Sequence, residues 1–471
     1  MNKDDQINAV EVDPFEHLHT TGKVYPRSIE GFYQKLRVYT GWPLLLGFFF
    51  LPWLNWDGRQ IVLFDLPARQ FHILGITFWP QDFYLLGWLL IIAALSLFAV
   101  TMYAGRVWCG YTCPQTVWTS IFMWAEELAE GSRNQRIKLD KQPMSVNKFT
   151  RKLAKHAMWI GFSFITGATF VGYFTPIKQL VPDLFLADAE LWSYAWVMFF
   201  LLATYINAGW LREAVCMHIC PYARFQSVMF DSDTLVVSYD TARGEPRGAR
   251  KREKDELDPL TGEKKKGDCI DCKLCVQVCP TGIDIRNGLQ YQCITCALCI
   301  DACDSIMDKM NYQRGLIRYT TENALAGKKT HLLRPRLFIY AGAITLIIAL
   351  FITAIATRIP LQIDIERDRS RLFFQTNEGM IENSYTLKVI NMSQHAGHYI
   401  LGIEGLKGAK YIGEKEVSIE SGEVAQVPVR LELDPSLLED KSMDVTFTVR
   451  DSRDEDISAE RESRFTGPSW R

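Results

Sequence analysis

Residues 269–303 read CIDCKLCVQVCPTGIDIRNGLQYQCITCALCIDAC, a stretch that contains most of the chain's 12 cysteines. The cysteines form two copies of the spacing C-x-x-C-x-x-C-x-x-x-C, the first ending at Cys279 and the second at Cys303. Bacterial ferredoxins bind cubane iron–sulfur clusters through thiolates at this spacing. Two adjacent runs therefore predict a ferredoxin-like domain with two [4Fe–4S] clusters.

The ligands of the two clusters follow from the same pattern. In two-cluster ferredoxins the fourth cysteine of each run binds the other cluster. Cluster one is therefore expected on Cys269, Cys272, Cys275 and Cys303, and cluster two on Cys293, Cys296, Cys299 and Cys279. Structural zinc is the alternative, but zinc sites use two separated C-x-x-C pairs. Two complete runs of four cysteines favour clusters.

Residues beside the runs bear on geometry and reduction potential. Pro280 follows the first run, as in ferredoxins, whereas Asp304 stands in that place after the second run. Acidic residues near the cysteines are Asp268, Asp271, Asp301 and Asp304. Their negative charge favours a low reduction potential, although hydrogen bonds to sulfur also contribute.

The other four cysteines form two C-x-x-x-C-P motifs, Cys109 with Cys113 and Cys216 with Cys220. The i, i+4 spacing predicts both thiols of a pair on one helical face. The proline predicts that a new helix begins after the second cysteine, where the helix dipole favours thiolate. Such pairs suit Cu(I) binding or disulfide redox chemistry, and buried structural cysteine is the remaining alternative. No catalytic residue is identifiable.

Five apolar segments are long enough to cross a bilayer, which takes about 20 helical residues. They are Tyr39–Trp56, Phe83–Ala104, His156–Thr175, Leu191–Trp210 and Leu337–Thr357. Lys and Arg are concentrated between the second and third segments and between the fourth and fifth, so these connections are expected in the cytoplasm. The N-terminus and the clusters are then cytoplasmic, and the tail after the fifth segment is periplasmic.

The tail changes to period-two alternation, as in Val427-Val429-Leu431-Leu433, with turn residues between the runs. This pattern predicts an immunoglobulin-like β-sandwich. The whole chain is thus expected to be a multi-domain membrane protein with an α-helical bundle of five transmembrane helices. Its parts are a cytoplasmic tail (1–38), a membrane domain with four spans and both motifs (39–230), a ferredoxin-like domain (231–335), the fifth transmembrane helix (336–358) and the β-sandwich (359–471).

The order of these parts resembles the cytochrome c oxidase accessory proteins, the CcoG, FixG or RdxA family, over nearly the whole chain. The resemblance implies a bacterial inner-membrane cupric reductase that converts Cu(II) to Cu(I) for assembly of cbb3-type cytochrome c oxidase. Cys109, Cys113, Cys216 and Cys220 would bind copper or undergo thiol redox chemistry, with copper as substrate or bound ion. Implied partners are membrane lipid, copper chaperones or oxidase subunits, and an unknown electron donor; a homodimer is one candidate state.

Two other functions fit the same motifs. The quinol-side membrane ferredoxins of nitrate and nitrous-oxide respiration also combine C-x-x-x-C-P pairs with double cluster runs. A non-enzymatic scaffold that binds oxidase subunits through its tail is the third hypothesis. The net charge of -2 does not indicate binding to nucleic acid or another polyanion. The predicted outward β-sandwich favours the cupric reductase.

Overall fold

The computed structural model describes residues 23–56, 58–249, 266–331, 333–368, 371–393, 395–438, 440–454 and 456–468. Most of the predicted cytoplasmic tail and linker residues 250–265 lie outside this part. The chain forms two compact units. One comprises Met1–Phe50, Ala93–Val171 and Val181–Ile344, and the other Leu51–Ile92, Gly172–Leu180 and Thr345–Arg471. All the cysteines belong to the first unit.

The first unit is mainly helical. The helices of eight or more residues that lie wholly or partly in it are Phe32–Phe50, Phe83–Ala104, Pro114–Glu130, Arg133–Lys141, Val146–Val171, Ile177–Leu186, Leu191–Thr204, Leu298–Met310 and Pro335–Ala356. Short helices contain or flank the cysteines: Val107–Tyr111, Pro221–Phe225, Leu274–Val278 and the π-helical segments Tyr205–Leu211 and Val215–Ile219. An antiparallel strand pair, Val236–Tyr239 with Ile317–Thr320, brings the two ends of the ferredoxin-like region together.

Among the described residues, three helices are long and apolar enough to cross a membrane: Pro80–Ala104, Leu191–Leu211 and Pro335–Ala356. They match the second, fourth and fifth predicted spans, and the chain is therefore a membrane protein. The end of the first predicted span is wrong, because its helix stops at Phe50 and Asn55–Trp56 is a strand. The third predicted span begins within the helix Val146–Val171, whose first half carries several Lys and Arg residues, and its predicted end is wrong because residues 172–175 form turns. The count of five spans remains a prediction.

The second unit contains a small β structure that sequence analysis did not predict. It consists of the hairpin Asn55–Trp56 with Arg59–Gln60, and an antiparallel sheet of Val62–Asp65, Gln70–Ile73 and Ile76–Phe78. These strands have two to four residues each. Such short strands are too brief to show a period-two pattern in the sequence.

The C-terminal residues form the predicted immunoglobulin-like β-sandwich. One sheet has the order Lys410–Ile412, Val424–Leu433, Ile381–Asn391 and Leu361–Arg367, with Phe374–Gln375 also paired to Ile381–Asn391. The other sheet has the order Glu416–Ile419, Gly397–Glu404, Ser442–Asp451 and Ser458–Thr466. All these pairings are antiparallel.

The alternating residues of the sandwich face its core. Leu387 and Val389 of one sheet and Phe447 and Val449 of the other are completely buried. The Tyr385 ring meets the Phe447 ring edge-on, with 5.0 Å between centroids. Burying each such side chain contributes about 1.5–3 kcal/mol relative to an exposed one. The residues of the period-two pattern therefore form a buried core between the two sheets, and the predicted fold of the tail is confirmed.

In the first unit, a buried ion network supports the segment that leads to the second C-x-x-x-C-P motif. The Glu126 carboxylate is completely buried and lies 3.1 Å from both the Arg136 and the Arg212 guanidinium. Arg212 also donates a hydrogen bond to the Gly209 carbonyl. Removing one member would leave an uncompensated buried charge, which typically costs about 3–5 kcal/mol. The network therefore fixes the chain four residues before Cys216.

Candidate redox site

The two ferredoxin-type runs fold into equivalent loops. Asp271 and Lys273 in the first loop, and Thr295 and Ala297 in the second, have φ angles of 54°, 56°, 55° and 60°. In each loop these are the second and fourth residues after the first cysteine. Alternating left- and right-handed backbone turns successive N–H groups towards one concave side, a geometry found at iron–sulfur sites. Four non-glycine residues in this costly region indicate that the surrounding structure imposes the loop shape.

Each predicted set of four cysteines lines one cavity of about 360 Å³, counting the part open to solvent. Cys269, Cys272, Cys275 and Cys303 line the first cavity, and Cys279, Cys293, Cys296 and Cys299 line the second. The structure thus brings the fourth cysteine of each run beside the other run. Cys275 lines both cavities, so the two cavities adjoin.

The buried thiols of these cavities suit a group that supplies positive charge. Burial raises the pKa of Cys275, Cys293 and Cys303 to about 12. At neutral pH such thiols stay protonated unless a metal ion stabilises the thiolate, which deprotonates them outright.

The acidic residues near the runs are engaged by other groups, contrary to the expectation of free negative charge. The partners are Arg243 for Asp268 at 2.6 Å, Arg286 for Asp271 at 2.5 Å, the N–H groups of Tyr33 and Gln34 for Asp301, and the Gly315 N–H for Asp304 at 2.9 Å. Two of the four are neutralised by arginines. Their effect on the cluster potential is therefore smaller than the sequence suggests, because paired charges largely cancel at a distance.

The two C-x-x-x-C-P motifs have the same local structure. Cys109 lies in the helix Val107–Tyr111, and Cys113 is the residue that precedes the helix beginning at Pro114. Likewise Cys216 lies in a π-helical segment and Cys220 precedes the helix beginning at Pro221. The predicted helix starts are confirmed. The prediction of one shared helical face is wrong, because the chain leaves the first helix before the second cysteine.

Hydrogen bonds tie the two motifs to each other. The Gln115 side-chain amide donates to the carbonyls of Asn207 at 2.9 Å and Arg212 at 3.1 Å. The Arg106 guanidinium donates to the Ala223 carbonyl at 2.8 Å. These bonds join the chain after the first motif to the chain before the second. They also join the chain before the first motif to the chain after the second. All four cysteines consequently lie within electrostatic range, since Cys113, Cys216 and Cys220 each act on the Cys109 thiol.

Burial keeps the motif thiols of Cys109, Cys113 and Cys216 protonated at physiological pH, because it raises the pKa of each. Burial raises the pKa of Cys109 to about 12 and that of Cys216 to about 11. Burial also raises the pKa of Cys113, although the N–H groups of Thr116 and Gln115 oppose the increase. The expected thiolate at the helix start is therefore wrong for Cys113, because desolvation outweighs the stabilisation by these N–H groups. A bound cation or an oxidant is needed to displace these protons.

The first motif touches the loop of the second cavity. A Cβ on Gly110 would lie 2.9 Å from both the Cys296 Cα and the Ile294 carbonyl oxygen. Cys109 packs against the buried group that contains Ile294 and Cys296. Sequence reasoning missed Gly110, and the only signal was a residue without a side chain between the two cysteines of a motif. Glycine here permits close approach of two backbones.

A further cavity connects the second motif with the same loop. It has a volume of about 460 Å³, counting the part open to solvent, and its lining includes Cys216, Glu213, Arg37, Thr281 and Ile294. Thr281 and Ile294 also line the second cysteine cavity. Both motifs therefore lie next to the Cys293–Cys296 loop, one by direct packing and the other across this cavity.

Apolar helices with paired cysteine motifs, a double ferredoxin-type loop and an immunoglobulin-like domain define a membrane-bound iron–sulfur protein. Residues 211–322 match the family described as "4Fe-4S dicluster domain", and residues 86–126 match "4Fe-4S binding domain". Residues 351–468 match the "IG-like fold at C-terminal of FixG", whose description classes FixG provisionally as an oxidoreductase.

Relatives cover most of the chain. It is 36% identical to the nitrogen fixation protein FixG of Rhizobium meliloti over 428 residues, 82% of this chain and 80% of FixG. It is 38% identical to protein RdxA of Cereibacter sphaeroides over 426 residues, 86% of each chain. It is 39% identical to protein RdxB of the same organism, with 81% of each chain covered. The chain belongs to the FixG/RdxA family, which confirms the resemblance seen in its sequence.

Proposed function

We propose that this protein is a membrane-bound cupric reductase that passes electrons from two [4Fe–4S] clusters to Cu(II) at the C-x-x-x-C-P motifs. The reduced copper serves the assembly of a cbb3-type cytochrome c oxidase. The observation that carries the proposal is the convergence of both motifs on the Cys293–Cys296 loop. An electron acceptor held by either motif would lie beside a cluster-binding loop.

The cysteine cavities support the assignment of the cluster ligands. Cluster one is assigned to Cys269, Cys272, Cys275 and Cys303, and cluster two to Cys279, Cys293, Cys296 and Cys299. When bound, each cluster supplies one electron at a time. The chain's residues hold both loops in left-handed turns, bury Cys269, Cys275 and Cys296, and place the two sites side by side at Cys275.

The motif cysteines supply soft ligands for the product ion. Thiolate stabilises Cu(I), whereas Cu(II) prefers N and O ligands, so ligation by thiolates favours reduction. Cu(II) gains one electron and becomes Cu(I), the cluster site loses one electron, and no covalent bond forms or breaks in the transfer. Because the thiol pKa values are raised, copper binding releases protons to solvent. Two thiolates from the four motif cysteines form the proposed ion site.

Purified protein with chemically reduced clusters provides the test. Adding Cu(II) without other oxidants should restore the clusters' visible absorption to that of the oxidised protein and yield one Cu(I) per electron, detected with a Cu(I)-specific chelator. The double variant Cys109→Ser with Cys216→Ser should retain both clusters but bind less copper. Clusters that stay reduced in the presence of Cu(II) would refute the proposal, and unchanged copper stoichiometry in the variant would refute the ion site.

A quinol-linked electron-transfer subunit is the second candidate, and the cavity beside Cys216 favours it. Its lining is largely apolar and includes Arg37 and Thr119, which offer donors to quinone oxygens. Burial raises the pKa of Glu213, which also lines the cavity and would accept a proton from a quinol. The reduced protein distinguishes the candidates, because a quinone analogue rather than Cu(II) would then reoxidise the clusters.

The distribution of Lys and Arg supports an inner-membrane location with the clusters in the cytoplasm and the β-sandwich in the periplasm. In this arrangement the β-sandwich is the part available to copper chaperones or oxidase subunits outside the membrane. We propose a homodimer as the oligomeric state. Size-exclusion chromatography with light scattering measures the mass that tests it. A C-terminal tag should be cleaved by protease added to the periplasmic side, and protection of the tag would overturn the orientation.

A further inference from the structure

The contact at Gly110 joins one cluster-binding loop directly to a C-x-x-x-C-P motif. The backbone of Gly110 lies against the Cys296 Cα and the Ile294 carbonyl, where any side chain would be too close. Two side chains fix the motif backbone at this point. Thr116 donates to the Cys109 carbonyl at 2.6 Å and Arg37 donates to the Gly110 carbonyl at 3.0 Å. The contact is therefore held in place from the motif side.

A pair of tyrosines forms a second link between the same two loops. The Tyr319 hydroxyl donates to the Thr295 carbonyl at 2.6 Å, between Cys293 and Cys296. The Tyr111 hydroxyl lies 3.2 Å from the Tyr319 hydroxyl. Because a tyrosine has one hydroxyl proton and Tyr319 has given its own to Thr295, Tyr111 is the donor in this second bond. The chain of two hydrogen bonds ends between the cysteines of the first motif.

The site assigned to cluster one has different surroundings. None of the residues that line its cavity also lines the cavity beside Cys216, whereas Thr281 and Ile294 line both that cavity and the one assigned to cluster two. Its ligand Cys272 is exposed to solvent, and so are the neighbouring Asp271 and Lys273. This site is therefore open to a donor from solution, whereas the site of cluster two adjoins the motifs.

Local charge favours the same direction of transfer. Arg37 and Arg106 form no ion pair within the described part of the chain. Arg37 donates to the carbonyl of Gly110, which lies against Cys296, and the Arg106 guanidinium lies 4.8 Å from the centroid of the Tyr291 ring, two residues before Cys293. At the first site, Arg286 is neutralised by Asp271 at 2.5 Å and Asp284 at 2.6 Å. Uncompensated positive charge favours the reduced cluster, which carries one more negative charge.

We infer that the Cys293–Cys296 loop is the electron exit to the motifs, that the Cys269–Cys275 loop is the entry, and that Gly110 and Tyr319 are positioning residues for the exit. The inference rests on the proposed function and adds the route by which electrons reach the copper. At the exit, thiolate-bound Cu(II) gains one electron and becomes Cu(I). Cluster two, held by Cys279, Cys293, Cys296 and Cys299, would supply that electron, and cluster one in the adjoining cavity would replace it.

Ligand variants of the full chain test the order. In Cys272→Ser the cluster-two electron paramagnetic resonance (EPR) signal of dithionite-reduced protein should disappear on adding Cu(II), at the wild-type rate. In Cys296→Ser the reduced cluster-one signal should persist under the same conditions. Spin counting identifies the cluster that each variant retains. The opposite pattern would overturn the inference, and wild-type clusters that ignore Cu(II) would instead refute the proposed function.

A glycine variant tests the exit contact without removing a ligand. Gly110→Ala should slow reoxidation by Cu(II) on the order of 10- to 100-fold, since a misplacement of about 1 Å can cost about 100-fold. Gly161→Ala is the matched control, because its Cβ meets no atom within 4 Å. Tyr319→Phe should cause a smaller decrease, because it removes the two hydrogen bonds but keeps the ring.

Two readouts of the same variant need no copper. In Gly110→Ala the Cys109 thiol should alkylate faster than in wild type, and the EPR line shape of cluster two should change while that of cluster one does not. Gly161→Ala should leave both unchanged. Wild-type alkylation and an unchanged cluster-two spectrum in Gly110→Ala would overturn the exit contact, whether or not Cu(II) proves to be the acceptor.

Discussion

Asp301 joins the ferredoxin-like region to the start of an N-terminal helix, and its removal should loosen that junction. The Asp301 carboxylate is 8% exposed and accepts hydrogen bonds from the N–H groups of Tyr33 at 3.2 Å and Gln34 at 2.8 Å. These residues begin the helix Phe32–Phe50. A Cβ on Gly31 would lie 2.2 Å from the Asp301 Cγ, so the approach is close. Asp301 itself lies between Cys299 and Cys303, two of the proposed cluster ligands.

The size of the effect follows from the lost hydrogen bonds. Replacing an Asp cap by Ala costs about 0.5–2 kcal/mol, and leaving a buried donor unpaired costs about 1–3 kcal/mol. Both ranges describe the same bonds, so they overlap rather than add. We expect Asp301→Ala to destabilise the junction by about 2 kcal/mol, which raises the open population about 30-fold.

Hydrogen exchange of the full-length protein in detergent measures this opening. The amides of Tyr33 and Gln34 should exchange about 30-fold faster in Asp301→Ala, given about 1.4 kcal/mol per factor of ten. Asp301→Asn keeps one acceptor oxygen and should show a smaller increase. Asp308→Asn is the control, because Asp308 is exposed on the same helix and pairs with Arg314. Unchanged exchange at Tyr33 and Gln34 in Asp301→Ala would refute the role of Asp301 as a cap.

Three further predictions concern charge, pH and the β-sandwich. Arg37→Gln should lower the potential of cluster two in an EPR-monitored redox titration while Arg37→Lys preserves it, and equal potentials would contradict a charge effect. The hydrogen bond from Arg286 lowers the pKa of Asp284, so its stabilisation, on the order of 1 kcal/mol, is present at neutral pH and lost as pH falls below about 4. Below that pH the free energies of unfolding in urea of wild type and Asp284→Asn should become equal. A difference that stays constant with pH would contradict the link between Asp284 ionisation and stability. Phe447→Ala should destabilise the sandwich by about 3–5 kcal/mol in urea, whereas exposed Val424→Ala should change it by under about 0.5 kcal/mol; similar losses would contradict the core assignment.

Features set by neighbouring residues were predictable from the sequence. The alternation around Val427 and Val445 reports burial on one sheet face, because side chains alternate along a strand. The prolines after Cys113 and Cys220 mark helix starts, because proline fits the first helical turn and disfavours helix in the residue before it. The short strands around Val62 had no such signal, since three or four residues do not establish a period.

The cysteine spacing by itself determined that this protein has two cluster-binding loops and two thiol pairs, because a few residues of chain fix which thiols a loop can bring together. Only the tertiary structure decided how these groups are connected. The approach of Gly110 to Cys296, the bond from Tyr319 to Thr295 and the protonation of Cys113 depend on packing and desolvation by distant residues. No local pattern encodes such contacts, since they arise only when separate helices and loops bury one another.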